Sequence, residues 1–296
     1  MIEPLHPPLP GGQDGAAVRL HPILTGEIRA PATLLERSGR PLSTLRAIGI
    51  GVPDSSWKWI PVPAFLIEHP GAGLLLVDTG LHPRAEVEPR ETMGRVSDRL
   101  YEFRVRSEET IAARLRQLGF VVDDLKLIVM THLHSDHASG IRALPDADLV
   151  LDRREWGAAG RRLGFLSGYD RSQLPEERRW HLLDFEAASA GPHESFERVI
   201  DLLGDGSIRL LATPGHTAGH LSVLLRLRKQ EVLLAADAAY TKRTISEGSL
   251  PGLADDLGAF RSSLAQIRDY VERFPDALVI PGHDAEFWTT LEVSYE

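Results

Sequence analysis

The sequence predicts an α/β (α+β) protein in which strands outnumber helices. Three observations carry that expectation. Short apolar runs bounded by Gly, Pro and Asp recur along the 296 residues, as strands buried in a sheet do. One of them, "LKLIVMT" at 125–131, is apolar without alternation, the pattern of a strand covered on both faces. Near the C-terminus, "DDLGAFRSSLAQIRDYVERF" places Leu257, Phe260, Leu264, Ile267 and Val271 on one helical face.

The other elements follow in order. Residues 1–16 are rich in Pro and Gly and read as a flexible lead-in, with 17–296 as one domain. "VRLHPIL" and "WKWIPVPAFLIEH" read as extended, "PGAG" at 70–73 as a turn, and "LLLVDTG" as a returning strand that delivers Asp78 at its end. Residues 83–106 are charged and irregular. "SEETIAARLRQLGF" is a helix in which Ser107 can cap, Ile111, Leu115 and Leu118 line one face, and Gly119 closes the last turn. "ADLVL" is a strand and "RREWGAAG" a short helix. Residues 161–196 show no clear period and read as a surface excursion, a candidate lid. "RVIDLLGDGSIRLLATPG" is two strands about a Gly-Asp-Gly turn, followed by "HLSVLLRL", "EVLLAAD" and finally "ALVIPGHD".

Composition narrows the chemistry. The chain is 43% hydrophobic and 25% charged and contains no cysteine. Disulfides and thiolate ligands are excluded, so any metal must be held by His, Asp or Glu. The net charge of −9 argues against a nucleic-acid surface. No run approaches the roughly 18 apolar residues of a membrane span, and the N-terminus lacks the pattern of a signal peptide. A cytoplasmic location is the expectation.

"THLHSDHASG" at 131–140 concentrates His132, His134, Asp136 and His137. Four such donors on one tight loop are hard to bury without a cation between them, and imidazole and carboxylate together suit first-row divalent ions. Three further donors each follow an expected strand: His216 after "LLATPG", Asp237 after "EVLLAA" and His283 after "ALVIPG". The expectation is a pair of ions. His132, His134 and His216 take one; Asp136, His137 and His283 take the other; Asp237 bridges. Zn is the expected metal, and Fe, Co and Mn accept the same donors. Pro214 and Gly215 would turn the backbone so that His216 faces its ion. Asp78 is expected to orient a ligand histidine rather than touch metal. His220 is left open between a structural and a site role.

In this order, "HLHSDH", "TPGHTAGH", "AAD" and "PGHD" resemble the metallo-β-lactamase superfamily, and "VDTG" at 77–80 resembles its early strand-end motif. The resemblance runs from about residue 60 to 296. It implies a four-layer αβ/βα sandwich, two mixed sheets face to face with helices outside and the metals at one edge. "DAAYTK" at 237–242 together with "PGHDAEF" resembles the quorum-quenching N-acyl homoserine lactonases. The implied activity is opening of a lactone ring by a hydroxide held between the ions. Tyr240 stands where that family has a tyrosine that assists the reaction; a phenol near two cations can donate to a developing oxyanion. Asp136, mainly a ligand, would also move the proton.

The expected partner is a small lactone or ester, with a homodimer admitted and neither nucleic acid nor membrane. Other hydrolases of the superfamily, arylesterases, glyoxalase-type thioesterases and β-lactamases, share the metals, as does the one-iron persulfide dioxygenase. The acidic tail "DAEFWTTLEVSYE" speaks against an anionic thioester, and Tyr240 with seven ligands against a single iron. Two departures from the lactonase pattern bear on the substrate's acyl chain. Ser135 stands where a bulkier apolar residue is expected, implying a wider or more polar pocket mouth. Trp57 and Trp59 lie on one side of an extended segment and could line an acyl groove.

Overall fold

The structure is a computed structural model that describes residues 1–162, 164–187 and 189–296. The described strands form two sheets. β1 (Ile2–Pro4), β2 (Arg19–Pro31), β3 (Trp57–His69), β4 (Gly73–Val77), β5 (Glu102–Arg104), β6 (Leu125–Val129), β7 (Asp148–Asp152) and β8 (Trp180–Leu183) assemble in the order β1-β8-β7-β6-β4-β3-β2-β5. β9 (Gly191–His193), β10 (Phe196–Asp201), β11 (Ile208–Ala212), β12 (Leu221–Arg226), β13 (Glu231–Ala236) and β14 (Leu278–Pro281) assemble in the order β14-β13-β12-β11-β10-β9. Both sheets are mixed: β3 and β4 pair antiparallel but β4 and β6 parallel, and β12 and β13 pair antiparallel but β13 and β14 parallel.

Side-chain alternation builds the layers. On β4, Leu75 and Val77 enter the core between the sheets, whereas Leu74 and Leu76 face outward. On β12, Val223 and Leu225 point inward and Leu224 outward. The outward residues of the first sheet meet Ile111 and Leu115 of the helix Ile111–Gln117 and Ala158 and Ala159 of the helix Arg153–Ala159. Those of the second meet Phe260, Leu264, Ile267 and Tyr270 of the helix Leu257–Arg273. Strands must cover apolar surface on both faces, and this arrangement does so in four layers. It is the sandwich that the resemblance implied.

Three expectations are corrected. The lead-in is not flexible throughout: β1 pairs in parallel with β8, the Leu9 N–H donates to the Leu202 carbonyl at 2.8 Å, and Leu5 and Leu9 pack against the inter-sheet core. The helix after residue 106 is capped by Thr110, whose hydroxyl accepts the Ala113 N–H at 3.3 Å; Ser107 opens a separate 3-10 turn. On the long C-terminal helix Val271 packs against the cluster of Phe260, Leu264 and Ile267 as expected, and fully buried Tyr270 joins that face. Residues 163 and 188 of the expected excursion at 161–196 lie outside the described residues. The rest is not a structureless lid, because it contributes β8 with fully buried Trp180 and Leu183, and β9.

Candidate metal centre and active site

The strand ends of both sheets converge on one edge. The Thr79 N–H donates to the His137 carbonyl at 2.9 Å, and the Leu221 N–H donates to the Thr131 carbonyl at 3.0 Å, which joins the sheets there. Two backbone features aim the side chains. Asp78 and Ala236 adopt φ of 58° and 46°, a left-handed conformation that non-glycine residues avoid. Each ends a strand sharply, and the second turns Asp237 off β13. Gly282 precedes His283 because a Cβ there would meet Asp237 Oδ1 at 2.7 Å.

All seven donors expected from the sequence come together. His132 Nε2 and His134 Nδ1 lie 3.2 and 3.0 Å from His216 Nε2. Asp237 divides its oxygens: Oδ2 is 3.2 Å from His216 Nε2, and Oδ1 is 3.4 Å from His137 Nε2 and 3.2 Å from His283 Nε2. Asp136 Oδ2 is 3.8 Å from His137 Nε2 and 3.7 Å from His283 Nε2. Donors at about 2.0–2.1 Å from a tetrahedral ion are about 3.3 Å apart, so these separations fit a shared cation. Two inward-facing atoms, His137 Nε2 and Asp237 Oδ1, are buried without a hydrogen-bond partner. Buried polar atoms are rarely left so, and a cation would satisfy both. Among the described residues, three donor groups could hold an ion: His132, His134 and His216; His132, His137 and Asp237; Asp136, His137 and His283.

Outer partners fix the rings. His137 Nδ1–H donates to Asp78 Oδ2 at 2.8 Å and His283 Nδ1–H to the Pro61 carbonyl at 2.8 Å, so both present Nε2 to the cluster. Asp78 is further held by the Thr131 N–H and hydroxyl, each at 2.7 Å. It orients a histidine, as its place at a strand end suggested. His220 acts in the same way on the backbone. Its Nδ1–H donates to the Thr213 carbonyl at 3.1 Å, and its Nε2 accepts the Asp237 N–H at 3.1 Å. Burial holds its pKa down to about 3, so it stays neutral and keeps that acceptor. Burial would raise the Asp237 pKa, but His283, His137 and His216 around it hold it well below the carboxylate range.

One supporting residue escaped the sequence reading. Glu155 is fully buried and accepts the Leu133 and Gly219 N–H groups, each at 3.0 Å, which ties the His132–His137 loop to the His216 loop. The available signal was an acid in helical phase with apolar Ala158 and Ala159.

Tyr240 is buried beside the cluster, and its hydroxyl accepts His216 Nδ1–H at 3.2 Å. A cavity of about 240 Å³ opens in front, with His134, Asp136, His216, Asp237, Tyr240 and His283 at its polar end. Its other end is apolar, built from Ile28, Leu34, Ile48, Ile60, Met93 and Phe103. Trp57 and Trp59 are not among the lining residues; they pack under the Arg29 and Arg104 guanidinium groups, 5.8 and 4.0 Å from the ring centres. Ser135 does line the cavity, and its hydroxyl donates to the Gly168 carbonyl at 3.3 Å.

Residues 57–283 match the metallo-beta-lactamase superfamily. The N-acyl homoserine lactonase AttM of Azorhizobium caulinodans is 35% identical over 244 residues, covering 79% of this chain and 85% of its own. An N-acyl homoserine lactonase of Bacillus cereus is 30% identical over 228 residues, covering 77% and 82%. A solved N-acyl homoserine lactone hydrolase, with the product N-hexanoyl-L-homoserine at its catalytic metal centre, shares the fold. Its TM-score is 0.73 at 24% identity, over 93% of this chain and 96% of its own. The chain belongs to the metallo-β-lactamase superfamily and, within it, to the family of the N-acyl homoserine lactonases.

Proposed function

We propose that the protein is a metal-dependent hydrolase that opens the ring of N-acyl homoserine lactones and so quenches the signal they carry. One observation carries the reading: a cluster of seven donors, five of them buried and two carrying an orphaned inward-facing atom, faces a cavity that is polar at the metal end and apolar beyond it. The activity that names its relatives supports it.

His132, His134 and His216 would hold one ion, Asp136, His137 and His283 the other, and Asp237 both. Bound there, divalent ions supply a water of lowered pKa and draw charge from an ester carbonyl; Zn is the metal proposed, with Fe, Co and Mn compatible with the same donors. Tyr240 donates its hydroxyl hydrogen to the ring carbonyl oxygen as negative charge develops. Asp136, which lines the cavity, accepts the attacking water's proton and returns it to the ring oxygen as the acyl C–O bond breaks. The apolar end of the cavity receives the acyl chain. The product is an N-acyl homoserine, and its new carboxylic acid ionises, releasing a proton.

No helix among the described residues is long and apolar enough to cross a membrane, and the cysteine-free composition fits a reducing cytoplasm. Leu42, Leu45 and Ile50 are 70%, 40% and 55% exposed, apolar surface that a second copy would cover in a homodimer.

A single panel tests the reading. Homoserine lactones of several chain lengths, an aryl ester, lactoylglutathione and a β-lactam are offered to one sample, with metal content and light scattering measured on it. Lactone turnover, two ions per chain and a dimer mass are expected. Inert homoserine lactones beside rapid β-lactam or lactoylglutathione hydrolysis would reassign the substrate.

A further inference from the structure

Beyond the donor cluster the wall of the cavity is not wholly apolar. Ser97 and Tyr101 both line it. They are four residues apart, on the helix Arg95–Leu100 and its C-cap, and so share a face. Tyr101 is firmly placed. Its N–H donates to the Ser97 carbonyl at 2.9 Å, and β5 begins at the next residue and pairs with β2. Its ring packs against the cluster of Ile28, Ile60, Met93 and Phe103.

The Tyr101 hydroxyl makes no hydrogen bond to any described residue. Tyr101 is half-buried, and its hydroxyl is free to donate to a ligand in the cavity. Burial, with the nearby Asp136 carboxylate, raises its pKa, so it stays a donor. Tyr101 lines the same cavity as Asp136 and Tyr240. Its ring belongs to the apolar part of the wall, and its hydroxyl is a donor in the cavity that the donor cluster also faces. In an N-acyl homoserine lactone the acceptor lying between ring and alkyl chain is the amide carbonyl.

We propose that Tyr101 donates a hydrogen bond to the substrate's amide carbonyl and so makes the site selective for amide-bearing lactones over lactones with a plain alkyl chain. The proposal rests on the lactonase reading above. It makes Tyr101 a specificity-determining residue, distinct from Tyr240, which serves the ring carbonyl.

The test compares two substrates in wild type and Tyr101→Phe. One is N-hexanoyl homoserine lactone. The other is an α-alkyl γ-butyrolactone of matching length, with the chain on the same ring carbon and no amide. A neutral hydrogen bond of ordinary strength corresponds to a loss of about three- to tenfold. We expect that loss in kcat/KM for the amide substrate, carried mainly by KM. The alkyl lactone should change by less than about twofold, with metal content and melting temperature unmoved. A wild type that opens both lactones, with a variant that loses equally on both or on neither, overturns the role of Tyr101 alone. A wild type inert toward both overturns the lactonase reading and this one with it.

Discussion

Tyr240 shows how one hydroxyl can serve two partners. It accepts His216 Nδ1–H at 3.2 Å, which leaves its own hydrogen for a substrate oxygen. Burial, together with Asp237 and Asp136, raises its pKa well above the phenol range, so the hydrogen is always present. Tyr240→Phe should keep both metals. Losing one oxyanion donor typically costs ~10²–10³ in kcat; because an ion would share the same oxygen, the loss expected here is about ten- to hundredfold, or ~1.4–2.7 kcal/mol. His134→Ala removes a donor instead, and should lose metal along with activity. An unchanged rate in Tyr240→Phe would leave the hydroxyl only its bond to His216. Legibility differs sharply among such residues. His132, His134, Asp136 and His137 declare themselves because the loop carries them within six residues. Asp78 could be read from its place at the end of a strand. Glu155 could not, since its partners Leu133 and Gly219 lie 22 and 64 residues away. Tyr101 lines the cavity, and nothing local marks that.

Elements hold the donors by their ends. The turn bearing His216 sits on the first turn of the helix Leu257–Arg273. The Asp256 and Asp255 N–H groups donate to the Gly215 and His216 carbonyls at 3.0 and 3.1 Å, and Ser263 Oγ donates to the Pro214 carbonyl at 2.7 Å. Gly215 has φ of 132°, and a Cβ there would meet the Phe260 nitrogen at 2.1 Å. Gly215→Ala should cost ~1–3 kcal/mol through the backbone conformation alone, more through the clash, and should swing His216 away from its ion. Gly157→Ala is the matched control: nothing lies near its Cβ, and in a helix the change should be neutral or stabilise by up to ~1 kcal/mol. Denaturant unfolding and metal stoichiometry of both variants check this; equal effects would detach the turn from the site. Strands with fully apolar runs, such as β6, were readable because both faces are covered. "WHLL" was not: only Trp180 and Leu183 of its four residues are fully buried, too short a pattern to stand out from polar neighbours.

At the scale of the molecule, the two sheets could be inferred from the motifs but not their strand order, because β1 joins β8 across the length of the first sheet's chain segment and no local signal reports such a pairing. What the whole assembly accomplishes is to gather carboxylates whose charge either a metal cation or protonated histidines must balance, and this sets its pH behaviour. Without metal, burial would lower the His137 pKa, but Asp237, Asp78 and Asp136 hold it well above its ordinary 6.5. Burial opposes charge on His283 too, and Asp237 and Asp136 again raise it above 6.5. A group raised in the folded state adds stability that is full below its unfolded pKa and is lost as pH rises through the folded one. Metal-free protein should therefore weaken as pH climbs above about 6.5. Asp237, depressed, contributes above its ordinary 3.8 and stays ionised with or without metal in that range. His132 and His216 are held neutral by burial in either form, so they cancel in the comparison. Metal loading must expel the protons of His137 and His283, which becomes easier as pH rises. The stability gap between Zn-loaded and EDTA-stripped protein should therefore be narrow at about pH 6 and wide at about pH 8, growing by up to ~1.4 kcal/mol per pH unit for each proton displaced. Melting temperatures of both forms across that range measure it. A gap that stays constant or closes with rising pH would mean that His137 and His283 are not protonated in the metal-free site.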